Sequence, residues 1–224
     1  MFKSKIRPVI VPQYEHERLA GALAAAWGNA DFDRPAFDFD AFIQGVALHD
    51  WHYGVIDQLS IGDSDEAAWL QIVRKGVAHR FENPITDIVA KLHIRRLLSH
   101  NDSQEASELI QQIDERIASE VPQTGYSRAQ FEWADAITRC CDSLAFDFSF
   151  EKPLTDRVKV FARVGSTEET ILTYEVLPGG EVHVDPWPFA VDSLFGILVS
   201  YQQAGYPERL VPEVIAYHVR SFRN

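Results

Sequence analysis

Residues 38–50 read DFDAFIQGVALHD, and the fold expected for the whole chain rests on this stretch. An aspartate at its start can cap a helix, and Phe42, Val46 and His49 recur at the spacing of one helix face. The stretch therefore predicts an amphipathic helix whose end carries an adjacent His49 and Asp50. Because the histidine lies on the apolar side, it is expected to point into the protein.

Apolar residues recur at helical spacing on both sides of this stretch, up to about Pro153. Pro84 stands where a helix can begin, and Gly28 stands where one can end. The helices predicted in this part cover residues 12–27, 38–49, 65–80, 84–99, 102–119 and 127–146. Residues 1–152 are therefore expected to form a helical core.

After Pro153 the pattern changes from helical spacing to the alternation of half-buried strands. Pro178, Gly179 and Gly180 form a predicted turn between two of these strands. The strands predicted in this part cover residues 158–164, 171–177, 181–184, 194–201 and 216–222. The last two runs are short enough to fit helices as well. The expected fold is mainly α, with a small C-terminal antiparallel sheet in residues 153–224 that packs on the helices.

The net charge of the chain argues against two classes of partner. The formal net charge is −12 over 224 residues. Such an acidic surface repels the phosphates of nucleic acids and of anionic membranes, so neither is an expected partner. No run of about 18 apolar residues occurs, so no membrane span is expected, and the expected location is the cytoplasm. A small phosphorylated substrate stays open, because a metal ion or an arginine cluster can overcome the overall charge locally.

Four residues on three predicted helices form a candidate metal site. His16 lies on the core-facing stripe of the first helix, and the second helix ends with His49 and Asp50. The last helix carries Asp142. Imidazole and carboxylate ligands suit divalent ions such as Fe, Mn, Ni, Co or Zn, and an ion with open positions can activate water. An alternative stays open, in which His16 is a hydrogen-bonded core histidine, Asp50 caps a loop and Asp142 pairs with an arginine.

The order of these residues, one histidine, a His-Asp pair and a distant aspartate, resembles the pattern of the HD superfamily of metal-dependent phosphohydrolases. His16, His49-Asp50 and Asp142 match it in order and separation, over about the first two-thirds of the chain. The resemblance implies an HD-like helical bundle and metal-dependent hydrolysis of a small phosphate ester or nucleotide. The family often follows the pair with an apolar residue, a glycine and a basic residue or histidine, whereas residues 51–54 read WHYG here.

The whole chain also resembles a family of bacterial proteins of unknown function. This resemblance rests on QYEH at residues 13–16, ALHD at residues 47–50, CDSL at residues 141–144 and DPWPF at residues 185–189. It implies a shared architecture and carries no activity with it.

Three further residues are candidates for supporting roles. Some HD relatives hold two metal ions through extra histidines between the His-Asp pair and the last aspartate. His79 and His93 lie in that interval, so the resemblance implies either a second ion or support for the ligands of the first. Histidines so placed are also ordinary core residues, and that alternative stays open. Asp57, in the loop after the pair, is the candidate catalytic residue, as a base or as a group that orients a ligand.

Two functions fit this sequence. The first is metal-dependent hydrolysis of a small-molecule phosphate ester or nucleotide, with the ion held by His16, His49, Asp50 and Asp142. The second is a non-catalytic module that binds or senses a metal or ligand on an HD-like scaffold. A basic, open cavity beside the four residues would favour hydrolysis.

Overall fold

The computed structural model describes residues 1–58 and 66–222. The α-helices in this part of the chain are α1 (Gln13–Ala26), α2 (Phe39–Ala47), α3 (Glu66–Ala78), α4 (Pro84–Leu98), α5 (Gln104–Thr124) and α6 (Arg128–Ser149). A 3-10 helix, Trp51–Gln58, follows α2 after a short turn. Within the described residues, no helix combines the length and the apolar content that crossing a membrane requires.

The capping signals read from the sequence set most of the helix ends. The side chain of Asp38 accepts hydrogen bonds from two backbone N–H groups of α2, and Asn83 caps α4 in the same way ahead of Pro84. The predicted end of α5 near Ser119 is wrong, because the helix continues through Pro122 to Thr124. A proline in the last turn removes one N–H donor there, and the left-handed glycine that follows ends the helix. The predicted start of the third helix at Asp65 lies outside the described residues.

Within the described residues, seven strands form one sheet that curls into a half-barrel. The strands are β1 (Phe2–Lys3), β2 (Val9–Val11), β3 (Leu154–Val160), β4 (Thr170–Val176), β5 (Glu181–Asp185), β6 (Ser193–Gln202) and β7 (Pro212–Ser221). Their order across the sheet is β1-β2-β6-β7-β5-β4-β3. The pairing of β5 with β7 is parallel, whereas the other neighbours run antiparallel.

The expectation of a mainly α chain with a small antiparallel sheet is wrong. Helices hold 47% of the chain and strands 22%, and the sheet is mixed. One cause is the three-residue run Val9–Val11, which pairs with β6 and so adds the start of the chain to the sheet. A second cause is length, because β6 and β7 are each 10 residues long. The division of the chain at residues 152 and 153 stays a prediction.

The helices cover the inner face of this sheet. Helix α6 packs on β3 and β4, and α1 packs on β6. Alternate strand residues such as Leu172, Leu198 and Val219 are buried there. The ring centroids of Phe148 in α6 and Tyr217 in β7 lie 6.0 Å apart. This contact and the packing on β3 and β4 position α6 against the sheet, and α6 carries one of the four candidate metal ligands.

Candidate metal centre

Three segments of the chain place the four candidate ligands in one buried spot. His16 lies in the first turns of α1, and Asp142 lies in the second half of α6. Because α2 ends at Ala47, His49 and Asp50 lie in the following turn. In a helix, consecutive side chains point about 100° apart. Outside the helix His49 and Asp50 are free of that constraint, and both can point into the same site. The two histidines are fully buried, and the two aspartates are at most 9% exposed.

The ligand atoms of these four residues, termed the His-Asp cluster, lie within 4.8 Å of one another. The Nε2 atoms of His16 and His49 are 3.2 Å apart. Asp142 Oδ1 lies 3.3 Å from each of these nitrogens. Asp50 Oδ2 lies 3.8 Å from His16 Nε2 and 3.6 Å from His49 Nε2. The structure thus brings together the four residues that the sequence nominated.

The donor set and its spacing fit a divalent ion. A tetrahedral site with bonds of about 2.0–2.1 Å places its ligand atoms about 3.3 Å apart, which is close to the separations of 3.2 Å and 3.3 Å found here. The ring of His49 is oriented from behind, because its Nδ1 lies 2.6 Å from the carbonyl oxygen of Val46. This contact directs Nε2 into the cluster, as the outer nitrogen of a metal-bound histidine usually does.

The electrostatics of the cluster are those of a site that attracts a cation. Burial alone would lower the pKa of His49, but Asp50 and Asp142 more than offset it and raise that pKa to about 9. Burial alone would raise the pKa of Asp142, but His93, His16 and His49 hold it well below its usual range. Positive charge at this spot is therefore stabilised, and without an ion a proton on an imidazole supplies it.

His93 and two further side chains hold the carboxylates of the cluster in place. His93 Nε2 lies 2.8 Å from Asp50 Oδ1, and Gln13 Nε2 donates to Asp50 Oδ2 at 3.0 Å. Arg96 Nη1 lies 3.7 Å from Asp142 Oδ2, the oxygen that faces away from the cluster histidines. Of the two supporting histidines suggested by the sequence, His93 therefore contacts the cluster and orients its ligands.

Two of the sequence candidates lie elsewhere. His79 packs against aromatic rings, with its ring centroid 4.2 Å from that of Trp51 and 4.6 Å from that of Phe81. Asp57 accepts two hydrogen bonds, at 2.8 Å and 3.0 Å, from the backbone N–H of Gln13, and it lines a different cavity. Asp57 also lies 3.4 Å from the terminal nitrogen of Met1, so its side chain joins the first N–H of α1 to the Met1 terminus. A catalytic role for Asp57 stays a prediction.

A cavity of about 700 Å³ opens beside the His-Asp cluster, and we term it the cluster cavity. Asp50 and Asp142 form part of its floor, and the exposed side chains of His100, Phe146 and Asp156 lie along it, so it is open to solvent. Its aromatic lining residues are Phe2, Tyr53, Trp69, Phe146, Phe150 and Tyr174. Among the described residues that line it there is no lysine or arginine. The cavity is therefore open, as hydrolysis requires. Its lining holds four aspartates, Asp50, Asp142, Asp147 and Asp156, together with Met1, whose terminal nitrogen lies 3.4 Å from Asp57 Oδ1, so the expected basic cavity is not found in the described lining.

Two buried titratable residues near the cluster were missed by the sequence reasoning. His52 is 2% exposed, and among the described residues neither of its ring nitrogens finds a hydrogen-bond partner. It packs on Gly76, where an added Cβ would lie 2.7 Å from the Cγ of His52. Glu17 follows a cluster histidine in α1, and burial raises its pKa to about 8. The sequence holds no local signal for either, because their burial depends on segments distant in the chain.

The chain belongs to a family described as "Protein of unknown function (DUF3891)", whose model matches residues 3–203. No curated protein and no solved structure matches the chain. The family confirms the resemblance to proteins of unknown function, and nothing in the comparisons supports membership of the HD superfamily.

Proposed function

We propose that this protein is a metal-dependent hydrolase of small phosphate esters, of the kind that the HD resemblance implies. One observation carries the proposal: four buried imidazole and carboxylate groups, whose ligand atoms lie within 4.8 Å of one another, adjoin an open cavity of about 700 Å³. Structural sites of this kind are normally closed, whereas catalytic ones keep access for water and substrate.

In this proposal His16, His49, Asp50 and Asp142 hold a divalent ion, for which Fe, Mn, Ni, Co and Zn all suit the donor set. Such an ion would act as a Lewis acid and would lower the pKa of a bound water molecule. The water oxygen bonds to phosphorus, and the bond from phosphorus to the alcohol oxygen breaks. The alcohol takes up the proton that the water loses, and inorganic phosphate is released. His93 keeps Asp50 oriented through its contact of 2.8 Å.

The second candidate is a non-catalytic module that binds or senses a ligand through the same cluster. The observation that favours it is the lining of the cluster cavity, where the described residues include no lysine or arginine to hold a phosphate. His79 packs on Trp51 and Phe81, so it does not serve as a ligand of a second metal ion at the cluster.

Metal analysis together with a phosphatase assay tests the proposal. We expect purified wild-type protein to retain about one divalent ion per chain and to release phosphate from p-nitrophenyl phosphate. Asp142→Asn should lose both properties. Asp114→Asn is the matched control, because Asp114 pairs with Arg95 and Arg128 on the surface. Metal retention without turnover of any ester would favour the binding module, and the absence of both would overturn the metal centre.

A further inference from the structure

Three phenylalanines, Phe2, Phe146 and Phe150, line the cluster cavity, and we term them the aromatic corner. Their ring centroids lie 5.1 Å to 5.5 Å apart, and their planes are inclined by 70° to 89°. Inclined planes of this kind are edge-to-face contacts. Of the three rings, that of Phe146 is 47% exposed, and the face of an aromatic ring attracts a cation. Lys5 Nζ already lies 5.2 Å from the centroid of Phe150. Because the ring of Phe2 lies 4.9 Å from that of His16, the corner adjoins the His-Asp cluster.

Two carboxylates, Asp147 and Asp156, line the same cavity, and we term them the acidic pair. The hydroxyl of Tyr174 donates to Asp147 Oδ2 at 2.6 Å and lies 3.4 Å from Asp156 Oδ2. Burial raises the pKa of Asp147, the hydrogen bond from Tyr174 opposes this shift, and the negative charge of Asp156 adds to it. A cation near the pair therefore relieves the repulsion between its members.

The cavity thus offers two different environments along one helix. Asp142, Ser143, Phe146 and Asp147 belong to α6, Phe150 follows as its C-cap, and all five line the cavity. The rise of an α-helix places Asp147 about 7.5 Å further along the axis than Asp142. A metal ion at the first position attracts an anion, whereas the aromatic corner and the acidic pair attract a cation. A ligand that carries both charges a short distance apart matches this arrangement.

We infer that the cluster cavity binds a phosphate ester whose alcohol carries a positively charged nitrogen. The phosphate lies at the His-Asp cluster, and the nitrogen lies between the aromatic corner and the acidic pair. This inference rests on the proposed function, because the phosphate needs the metal. It disfavours nucleotides, since further phosphates would meet the charges of Asp147 and Asp156. Hydrolysis then releases inorganic phosphate and an amino alcohol.

A pair of esters of equal shape tests the inference. Choline phosphate carries a quaternary nitrogen, and dimethylbutyl phosphate carries a carbon atom in its place. We expect the manganese-loaded wild type to hydrolyse choline phosphate with a kcat/KM about tenfold higher. The preference should fall towards one in the double variant Asp147→Asn/Asp156→Asn and in Phe146→Leu, and it should persist in the surface control Asp114→Asn. Calorimetry with choline and dimethylbutanol measures the same preference without turnover.

The outcomes separate the inference from the proposed function. Hydrolysis of both esters at equal kcat/KM would overturn the inference and leave the hydrolase in place. Binding of choline about tenfold more tightly than dimethylbutanol, with neither ester hydrolysed, would overturn the hydrolase and support the cation site. Equal binding of the two alcohols together with no hydrolysis would overturn both.

Discussion

Two groups of buried charged side chains lie in the helical half of this protein, and they are built on opposite plans. One is the His-Asp cluster. The other, termed the charge network, consists of Asp87, Lys91, Arg116 and Glu120 on α4 and α5. In the network, Arg116 Nε lies 2.8 Å from Asp87 Oδ2 and 3.2 Å from Glu120 Oε1, and Lys91 Nζ lies 3.4 Å from Asp87 Oδ1.

The difference between the two groups is the origin of their positive charge. In the charge network two cationic side chains face two anionic ones, so the chain supplies its own counterions. In the His-Asp cluster two carboxylates face imidazoles, which are cationic only when protonated, and Arg96 reaches only the outer oxygen of Asp142. Buried charge without a partner is strongly destabilising. The network therefore carries its own cationic side chains, whereas in the proposed function the cluster takes a cation from solution.

Breaking the charge network should produce the largest effect on stability. Lys91→Met leaves Asp87 buried with one of its two cationic partners removed, and we expect a loss of about 3–5 kcal/mol in the free energy of unfolding. The loss should be equal with and without a chelator, because the network needs no metal. Urea unfolding followed by circular dichroism measures it, with the exposed Lys75→Met as control. A loss no greater than that of Lys75→Met would show that the network is not a structural element.

Metal should stabilise the cluster and leave the network unchanged. At a concentration 100 times the dissociation constant, a bound ion adds about 2.7 kcal/mol to the free energy of unfolding. We expect this increment for wild type and for Lys91→Met, and its loss in Asp142→Asn. Without metal, Asp142→Asn should be less stable than wild type, because the lowered pKa of Asp142 means that the folded state stabilises its ionised form beside the histidines. If the wild type melts at the same temperature with manganese and with chelator, the cluster does not differ from the charge network in its need for a metal ion.

The helical part of the fold was predictable because its signals are local. Apolar residues repeat along α4 and α6, and Pro84 marks the first residue of α4. The sheet was harder to predict because strand order and direction depend on distant segments. Nothing near Val182 in β5 indicates that it pairs in parallel with Val219 in β7. The run Val9–Val11 becomes a strand because it pairs with β1 on one side and with the distant β6 on the other.

The ligands of the candidate site were predictable, but the surroundings of the site were not. His16, His49, Asp50 and Asp142 follow an order that a single sequence displays. The aromatic and acidic residues that line the cavity come from segments that include β1, α6, β3 and β4, so no single sequence motif predicts this lining. His79 and His93 looked alike in the sequence, and only tertiary packing places His93 at the cluster. Charge and curvature of a cavity are properties of the assembled fold.

The different positions of these two histidines allow a sharper test of the cluster. His93→Gln should weaken metal binding by about 10- to 100-fold, because the contact that orients Asp50 is lost while both ligand histidines remain. His79→Gln should leave the affinity unchanged, since His79 packs on aromatic rings away from the cluster. Competition with a fluorescent chelator measures both affinities. A comparable loss in His79→Gln would instead support a second ion.

The smallest effect is expected at an exposed ion pair, which neither needs a buried counterion nor attracts a metal. Asp114 lies 2.8 Å from Arg95 Nε and 2.6 Å from Arg128 Nη2, and its side chain is 31% exposed. Burial raises the pKa of Asp114, but the two arginines more than offset this and lower it. Asp114→Asn should cost less than about 1 kcal/mol, since water screens such pairs.

The pH dependence of that small effect has a definite sign. Because the folded state holds the pKa of Asp114 below its unfolded value of about 3.9, the folded state binds the proton more weakly than the unfolded state does. The stabilisation from Asp114 is therefore fully present above that unfolded value and is lost as the pH falls through the folded one. Unfolding of wild type and Asp114→Asn at a series of pH values should give curves that converge in acid, equally with manganese and with chelator. If the difference between the two curves changes when manganese is added, the surface charge of Asp114 affects metal binding at the His-Asp cluster.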